Sequence, residues 1–364
     1  MTLDHTCTET GTDGNNSLAP LGRYSEMENG VSTSSGLKNR SSSSGDFARQ
    51  DTYHILDVEI DRGCGNGVLC SAESKKIELY KYNDIPGFLK GNPYVTQGYR
   101  AFLPFSACVK SLFVWNNETI NVWSHLLGFV LFFFIMIYDN IIFIPGIHGT
   151  LADHVIITIG LMCYQFCMLC SAGYHIFLCH SERASRRWLA MDLAGICIGL
   201  IGCYLPAVHY AFYCLSIWRD IYLLTVFLLC FAVLTIQLNP RYFASQWWTQ
   251  RVLLFCALVA YGIIPTAHWV YLNGGWSHKL VQMFAPKVAR MYSMGVLAFV
   301  FYLTKFPERC FPGIFDFIGS SHQWWHLIVV VAFWYWHQAG GEILSYRTST
   351  PCHVYVHQST YHQN

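Results

Sequence analysis

Long apolar runs separated by short polar stretches make up most of this chain from about residue 120 onward. Seven runs approach the length of about 20 residues that a helix needs to cross the hydrocarbon core of a bilayer. Pro265 lies in the fifth run and Arg290 near the start of the sixth, but membrane helices tolerate proline. The pattern predicts an all-α membrane protein with seven transmembrane helices. The runs are residues 121–143, 155–179, 189–213, 221–238, 252–270, 288–304 and 322–344.

The basic residues beside these runs predict the direction of the helices. Lys and Arg near membrane ends accumulate on the cytosolic side. The N-terminal flank and alternate loops carry eleven of them, and the opposite side carries five. This excess predicts a cytosolic N-terminus and, after seven crossings, a C-terminus that is lumenal or extracellular. The first set is Lys81, Lys90, Arg100, Lys110, Arg183, Arg186, Arg187, Arg241, Arg251, Lys305 and Arg309; the second is Arg219, Lys279, Lys287, Arg290 and Arg347.

Five polar residues lie at those ends of the apolar runs that face the cytosol in this orientation. His322 and His326 are four residues apart, which places them on one face of a helix. His175 ends the second run, Ser171 lies one turn deeper, and Asp192 begins the third run. Ionisable groups inside membrane segments are costly and mark functional sites. We therefore expect these residues to meet in one layer.

Three neutral imidazoles and a water form a tetrahedral zinc site with an open position. Zinc activates its water and polarises a carbonyl, so the cluster predicts hydrolysis of a lipid amide or ester, with Asp192 and Ser171 as catalytic residues beside that water. A closed structural zinc site that ties helices together is an open alternative. The pair of histidines differs from the metalloprotease motif H-E-x-x-H, because Gln323 replaces the glutamate.

Three further histidines occupy membrane runs. His125 lies at the cytosolic start of the first run, where we expect a structural role or a place at the mouth of a cavity. His268 and His337 fall toward the outer halves of their runs, so depth excludes them from the cluster.

Composition agrees with a membrane protein, since hydrophobic residues are 53% of the chain and charged residues only 12%. A net charge of +1 gives no indication of nucleic-acid binding. Most of the 15 cysteines lie within apolar runs, where they act as small packing residues. Cys214 and Cys352 both fall on the outer side and are able to pair there.

The chain divides into four predicted parts. Residues 1–75 form a disordered cytosolic tail, because its first 50 residues are poor in large apolar side chains and rich in Ser, Gly, Thr and Asn. Residues 76–120 form a cytosolic juxtamembrane segment with an interfacial helix at 104–120, 121–344 the membrane domain, and 345–364 a short lumenal tail. The glycosylation sequons at Asn15, Asn39 and Asn117 are expected to stay bare on the cytosolic side.

The motifs of residues 75–355 together resemble the progestin and adipoQ receptor family, which includes the adiponectin receptors. This resemblance implies seven helices, a cytosolic N-terminus, and zinc near the inner membrane face. It makes His175, His322 and His326 the zinc ligands and places Asp192 and Ser171 around the zinc-bound water. It also implies a receptor for a lipid or steroid hormone, or a ceramidase-like lipid amidase. The motifs are Asn117-Glu-Thr-Ile-Asn-Val-Trp-Ser-His125, Ser171-x-x-x-His175, Cys179-His-Ser-Glu182, Asp192 and Ser321-His-Gln-Trp-Trp-His326.

A closer resemblance links the juxtamembrane segment to a Golgi-resident member of that family that traps Raf kinase. It implies a Golgi membrane scaffold, or alternatively a plasma-membrane one, that holds a Raf-type kinase by its cytosolic N-terminal segment and dampens MAP-kinase signalling. The matching stretches are Ile85-Pro-Gly-x-Leu-Lys90, Asn92-Pro-Tyr94, Gly98-Tyr-Arg-Ala101, Lys110-Ser-Leu-Phe113 and Pro307-Glu-Arg309.

Overall fold

The structure is a computed structural model that describes residues 77–239, 247–350 and 352. The predicted tail at 1–75, Arg241 of the basic loops, and nearly all of the predicted lumenal tail beyond residue 350 lie outside the described residues. Within the described part the fold is helical, and the only β-type pairing recorded is a single bridge between Tyr80 and Tyr99.

Ten α-helices follow one another along the described residues. A π-helical turn at Asp139–Phe143 joins α2 to the short α3. The helices are α1 Phe105–Lys110, α2 Thr119–Tyr138, α3 Ile144–Gly146, α4 Leu151–Phe177, α5 Glu182–Ala211, α6 Ser216–Leu238, α7 Trp248–Tyr261, α8 Ile263–Leu272, α9 Lys279–Thr304 and α10 Ser321–Ser349.

Five helical stretches of the described chain are long and apolar enough to cross a membrane. They are Thr119–Gly146, Leu151–Phe177, Glu182–Ala211, Ser216–Leu238 and Trp248–Leu272. This confirms an all-α membrane protein, whereas seven crossings and the direction of the chain remain predictions. Helices α9 and α10 are as long, with 26 and 29 residues, but polar side chains such as Lys287, Arg290, His322 and Glu342 make them less apolar.

Two predicted elements differ from the structure. The run at 252–270 is divided into α7 and α8 at Gly262, where the hydroxyl groups of Tyr204 and Tyr292 approach the backbone so closely that a Cβ atom would lie 2.7 and 2.6 Å from them. The interfacial helix predicted at 104–120 is shorter, because α1 ends at Lys110 and a 3₁₀ turn follows at Ser111–Phe113.

The bundle is held together by close helix packing and by one aromatic cluster. Gly160 and Gly202 let α4 and α5 approach, since a Cβ at Gly202 would lie 2.8 Å from the Gly160 carbonyl oxygen. Small residues have this role wherever membrane helices pack closely. Tyr164 stacks on Phe333 at 4.3 Å between ring centroids, and Phe132 packs on both, which joins α4, α10 and α2. These three helices also carry the candidate site.

Helix α4 ends and α10 begins at the same end of the bundle, which we call the histidine end. Residues 77–104, the docking segment, fold onto this end around a small apolar cluster of Ile85, Leu89, Val95, Tyr99 and Ala101. The segment therefore belongs to the folded protein rather than forming a free arm.

The two ends of the bundle differ in their cysteines, with a disulfide at one end and free thiols at the other. Cys214 and Cys352 form a disulfide, as predicted, with Cα atoms 5.3 Å apart. Because Cys214 follows α5 and Cys352 follows α10, this disulfide lies at the end opposite the histidines. At the histidine end, the free thiols of Cys108 and Cys179 lie 3.7 Å apart.

Candidate metal centre

Three imidazole rings meet where α4 ends and α10 begins. The Nε2 atom of His322 lies 3.4 Å from Nε2 of His175 and 3.2 Å from Nε2 of His326. One nitrogen from each of the three rings lies within 4.8 Å of the others. The structure thus brings together residues that are separated by 147 positions in sequence.

The start of α10 is fixed by a carboxylate from the preceding loop. Ser320, at the N-cap position, makes no side-chain cap. Instead Glu308 accepts a hydrogen bond from the Ser321 backbone N–H at 2.7 Å and another from its hydroxyl. A negative charge at a helix N-terminus is favourable because the helix dipole is positive there. Glu308 therefore holds the first turns of α10, which carry His322 and His326.

Two neighbours determine which ring nitrogens are protonated. Nδ1 of His175 lies 2.8 Å from the carboxylate of Glu118, and Nδ1 of His326 lies 3.1 Å from the backbone carbonyl of Asn121. Both partners only accept hydrogen bonds, so each Nδ1 carries the proton and each Nε2 presents a lone pair. Those lone pairs face His322 Nε2, so His322 either donates its own Nε2–H to one of them or shares a cation with both.

The separations match a tetrahedral zinc site. Zinc–nitrogen bonds of 2.0–2.1 Å place tetrahedral ligand atoms about 3.3–3.4 Å apart. The observed 3.4 and 3.2 Å agree with that spacing. Carboxylate and carbonyl partners on the outer nitrogens are also the usual surroundings of zinc-binding histidines. The donor set therefore fits a zinc ion.

Glu118 carries a negative charge beside this centre. Its Oε2 accepts hydrogen bonds from His175 Nδ1 and, at 2.6 Å, from the amide of Asn121. Burial alone would raise the pKa of Glu118, but His175, Asn121 and Arg100 outweigh that effect and lower the pKa to about 2. An ionised Glu118 strengthens the basicity of the His175 ring toward a metal ion.

Asp192 and Ser171 lie beside the three histidines but outside the close group of nitrogen atoms. Ser171 lies one turn before His175 on α4, and Asp192 lies on α5. Both residues line the same cavity as the histidines. This position suits residues that act on a reactant near the metal rather than metal ligands, and their catalytic roles remain predictions.

His125 lies beside the three histidines, whereas His268 and His337 have other partners. The His125 ring is buried and stacks on His326 with centroids 3.9 Å apart, and it lines the cavity. His337 pairs with Asp139 at 2.9 Å, and His268 contacts the Tyr222 hydroxyl at 2.8 Å. Neither His268 nor His337 belongs to the group of three.

A cavity of about 1180 Å³ extends from the histidine end along the bundle. Its wall is mainly apolar and includes Phe255, Met291, Val329 and Ile343, while the docking segment contributes Leu89 at the histidine end. The volume exceeds that of typical small-molecule pockets, about 300–1,000 Å³. The cavity is thus large enough for a lipid chain, with the three histidines at one end.

Comparison with known proteins identifies the family. The haemolysin-III related family matches residues 113–337. Human progestin and adipoQ receptor family member 3 is 53% identical over 281 residues, which cover 77% of this chain and 90% of that protein. This chain belongs to the progestin and adipoQ receptor family. The predicted resemblance is therefore confirmed, and the protein is a receptor-like multi-pass membrane protein.

More distant members of the progestin and adipoQ receptor family extend the comparison to plants. Rice heptahelical transmembrane protein ADIPOR1 is 30% identical over 309 residues, covering 70% of this chain and 81% of that protein. Arabidopsis heptahelical transmembrane protein 1 is 32% identical over 267 residues, covering 71% and 78%.

Sequence reasoning missed three charged residues that support the histidines in this family member. Glu118 and Glu308 lie in flanking loops, and Arg100 lies in the docking segment, where its Nη2 donates to the His175 carbonyl at 2.7 Å. In the sequence, Glu118 appears only within the motif of residues 117–125 and as the middle residue of the Asn117 glycosylation sequon. No spacing rule links it to His175, 57 residues away.

Proposed function

We propose that this protein is a zinc-dependent hydrolase of membrane lipids, acting on an amide such as that of a ceramide. One observation carries the proposal: three imidazole nitrogens within 4.8 Å of one another, with Nε2–Nε2 separations of 3.4 and 3.2 Å at His322, line a lipid-sized cavity together with Asp192 and Ser171. Family membership supports a receptor-like membrane protein, and the hydrolase activity is the finer proposal.

His175, His322 and His326 would hold the ion, while Glu118 and the Asn121 carbonyl keep the Nε2 lone pairs of His175 and His326 directed inward. Zinc, when bound, supplies polarisation of a carbonyl and activation of water. The Asp192 carboxylate would serve as the proton acceptor beside the ion, and the Ser171 hydroxyl, on the same cavity wall, would bind a substrate oxygen. The apolar wall holds the acyl chain and keeps bulk water away from the scissile bond.

The hydrolase proposal is tested with purified protein in lipid nanodiscs and N-hexanoylsphingosine as substrate. His322→Ala should abolish both zinc binding and hydrolysis. Asp192→Asn should abolish hydrolysis while most of the zinc is retained, because Asp192 is not a ligand. Glu182→Gln, an exposed carboxylate at the start of α5, should leave both unchanged. Turnover by metal-free protein would remove the proposal.

We also propose that seven helices cross the membrane, with the histidine end facing the cytosol and the protein residing in the Golgi. The cysteines support this direction, because disulfides persist in lumenal or extracellular compartments and thiols in the cytosol. The Cys214–Cys352 disulfide lies at one end and the Cys108–Cys179 thiol pair at the other. The orientation is tested with an N-terminal epitope tag in cells whose plasma membrane has been permeabilised. A tag that added protease cannot digest would contradict a cytosolic histidine end.

A second candidate function is a tether for a Raf-type kinase. The 53% identity to human progestin and adipoQ receptor family member 3 supports it, together with a docking segment that presents Lys81, Asp84 and Lys90 on its exposed surface. Two variants separate the possible binding regions: deletion of residues 1–76, and Lys81→Glu with Lys90→Glu. A longer deletion is unsuitable because Arg100 contacts His175. Full kinase recruitment by both variants would exclude binding through these two regions, and a wild-type protein that recruits no kinase would exclude the tether.

A further inference from the structure

The docking segment is fastened to the α9–α10 loop, residues 305–320, by two buried carboxylates. Asp316 accepts hydrogen bonds from the Thr96 backbone N–H at 2.7 Å and from the Thr96 hydroxyl at 2.8 Å. Glu308 accepts a hydrogen bond from the Asn92 amide at 3.0 Å. The exposed fractions of Glu308 and Asp316 are 0% and 1%. These contacts form a latch between stretches more than 200 residues apart in sequence.

Glu308 binds both the docking segment and the first residue of α10. The oxygen that accepts from Asn92 also accepts from the Ser321 hydroxyl, and its other oxygen accepts from the Ser321 backbone N–H. Among the described residues no cation forms an ion pair with Glu308. A buried carboxylate of this kind depends on its hydrogen bonds, because each one lost leaves charge uncompensated. Loss of the Asn92 contact therefore disturbs the carboxylate that fixes the residue before His322.

Arg100 forms a second connection, to the other side of the metal centre. Its guanidinium donates to the His175 carbonyl at 2.7 Å and to the Ser111 hydroxyl. The adjacent Tyr99 pairs with Tyr80 through two backbone hydrogen bonds of 2.8 and 3.1 Å, which anchors Arg100 within the docking segment. The segment thus contacts the end of α4 through Arg100 and the start of α10 through Glu308.

We propose that Arg100 and Glu308 are positioning residues for the metal histidines, and that through them docking of residues 77–104 and metal binding reinforce each other. This inference rests on the zinc centre of the proposed function but not on hydrolysis. Coupling between two binding events is reciprocal. Zinc should therefore tighten the docking segment, and release of the segment should weaken zinc binding by the same factor.

The test uses the full chain in lipid nanodiscs with zinc alone as the probe. Zinc affinity is measured by competition with chelators, and hydrogen exchange of residues 77–104 is followed with and without zinc. Asn92→Ala, remote from the histidines, should weaken zinc binding about fivefold. Glu308→Gln should weaken it about tenfold. Glu342→Gln is the matched control, because Glu342 pairs with Lys287 toward the other end of α10.

The expected result is slower exchange in residues 77–104 of the wild type on zinc addition, weaker zinc binding by Asn92→Ala and Glu308→Gln, and no change for Glu342→Gln. Asn92→Ala keeps the test decisive even if Glu308→Gln does not fold. Zinc binding by Asn92→Ala equal to the wild type, or exchange that is indifferent to zinc, would overturn the coupling alone. A wild type that binds no zinc would overturn the metal centre and the coupling together.

Discussion

Replacement of Glu118 by Gln tests the hydrogen bond that directs His175. In the structure Glu118 Oε2 accepts from His175 Nδ1 at 2.8 Å and from the Asn121 amide at 2.6 Å. The amide oxygen of Gln can accept both bonds, so the substitution removes mainly the negative charge. A less basic His175 then binds zinc more weakly, although all three ligands remain.

The expected loss of zinc affinity can be taken from other proteins in which a hydrogen-bond partner of a metal ligand is removed. Such a loss weakens metal binding about 10–100-fold. We expect Glu118→Gln at the lower end, about tenfold or ~1.4 kcal/mol. Glu118→Ala also leaves His175 Nδ1 without its acceptor, so we expect about 100-fold or ~2.7 kcal/mol. The geometry therefore predicts that Glu118→Ala weakens zinc binding more than Glu118→Gln does.

Chelator competition on purified protein measures both dissociation constants, and thermal unfolding of the metal-free forms shows whether each variant folds. Glu182→Gln is the control, because it makes the same change at the start of another helix, where Glu182 pairs with the exposed Arg186. Wild-type zinc affinity in Glu118→Gln, alongside complete loss in His322→Ala, would refute the proposed role of the carboxylate. Equal shifts in Glu118→Gln and Glu182→Gln would refute it as well.

Three further predictions concern packing, the disulfide and topology. Gly202→Ala should lower stability by about 1–3 kcal/mol through overpacking against α4, whereas Gly295→Ala, with open space around it, should not, as thermal unfolding would show. Cys214→Ser should lower stability by about 2–5 kcal/mol, and stability that is insensitive to reducing agent in the wild type would contradict it. Asn117 should carry no glycan, so a mobility shift on glycosidase treatment that Asn117→Gln removes would contradict the cytosolic histidine end.

The sequence was sufficient for the parts of the site that depend on helix geometry. His322 and His326 share a face because of their four-residue spacing, and Ser171 and His175 do so for the same reason. The helix directions predicted from the basic loops implied that both pairs lie at the same membrane depth, but not that α4 and α10 are neighbours. The apolar runs likewise predicted a helical membrane protein, because length and hydropathy decide membrane crossing in the same way for any fold.

What the sequence could not supply are contacts made by loops and by crowded side chains. Glu308 reaches Asn92 and Ser321 through a loop whose course no periodicity encodes. Just before the break between α7 and α8, the hydroxyl groups of Tyr204 and Tyr292, on two other helices, donate to the carbonyls of Leu258 and Val259. Polar residues such as His322 and Glu342 also lower the hydropathy of α10, so its length alone does not establish a crossing.

The charges around the histidines suit a divalent ion. Three neutral imidazoles contribute no charge, while Glu118 accepts a hydrogen bond from His175 and Asp192 lies on the wall of the same cavity. Two carboxylates near a bilayer are costly unless a comparable positive charge is close. Arg100 also acts on Glu118, but its guanidinium is bound to the His175 carbonyl and Ser111. A divalent ion among the Nε2 atoms would add positive charge beside both carboxylates. Asp192 is not among the three clustered ligand residues, so Asp192→Asn should weaken zinc binding less than loss of a ligand does.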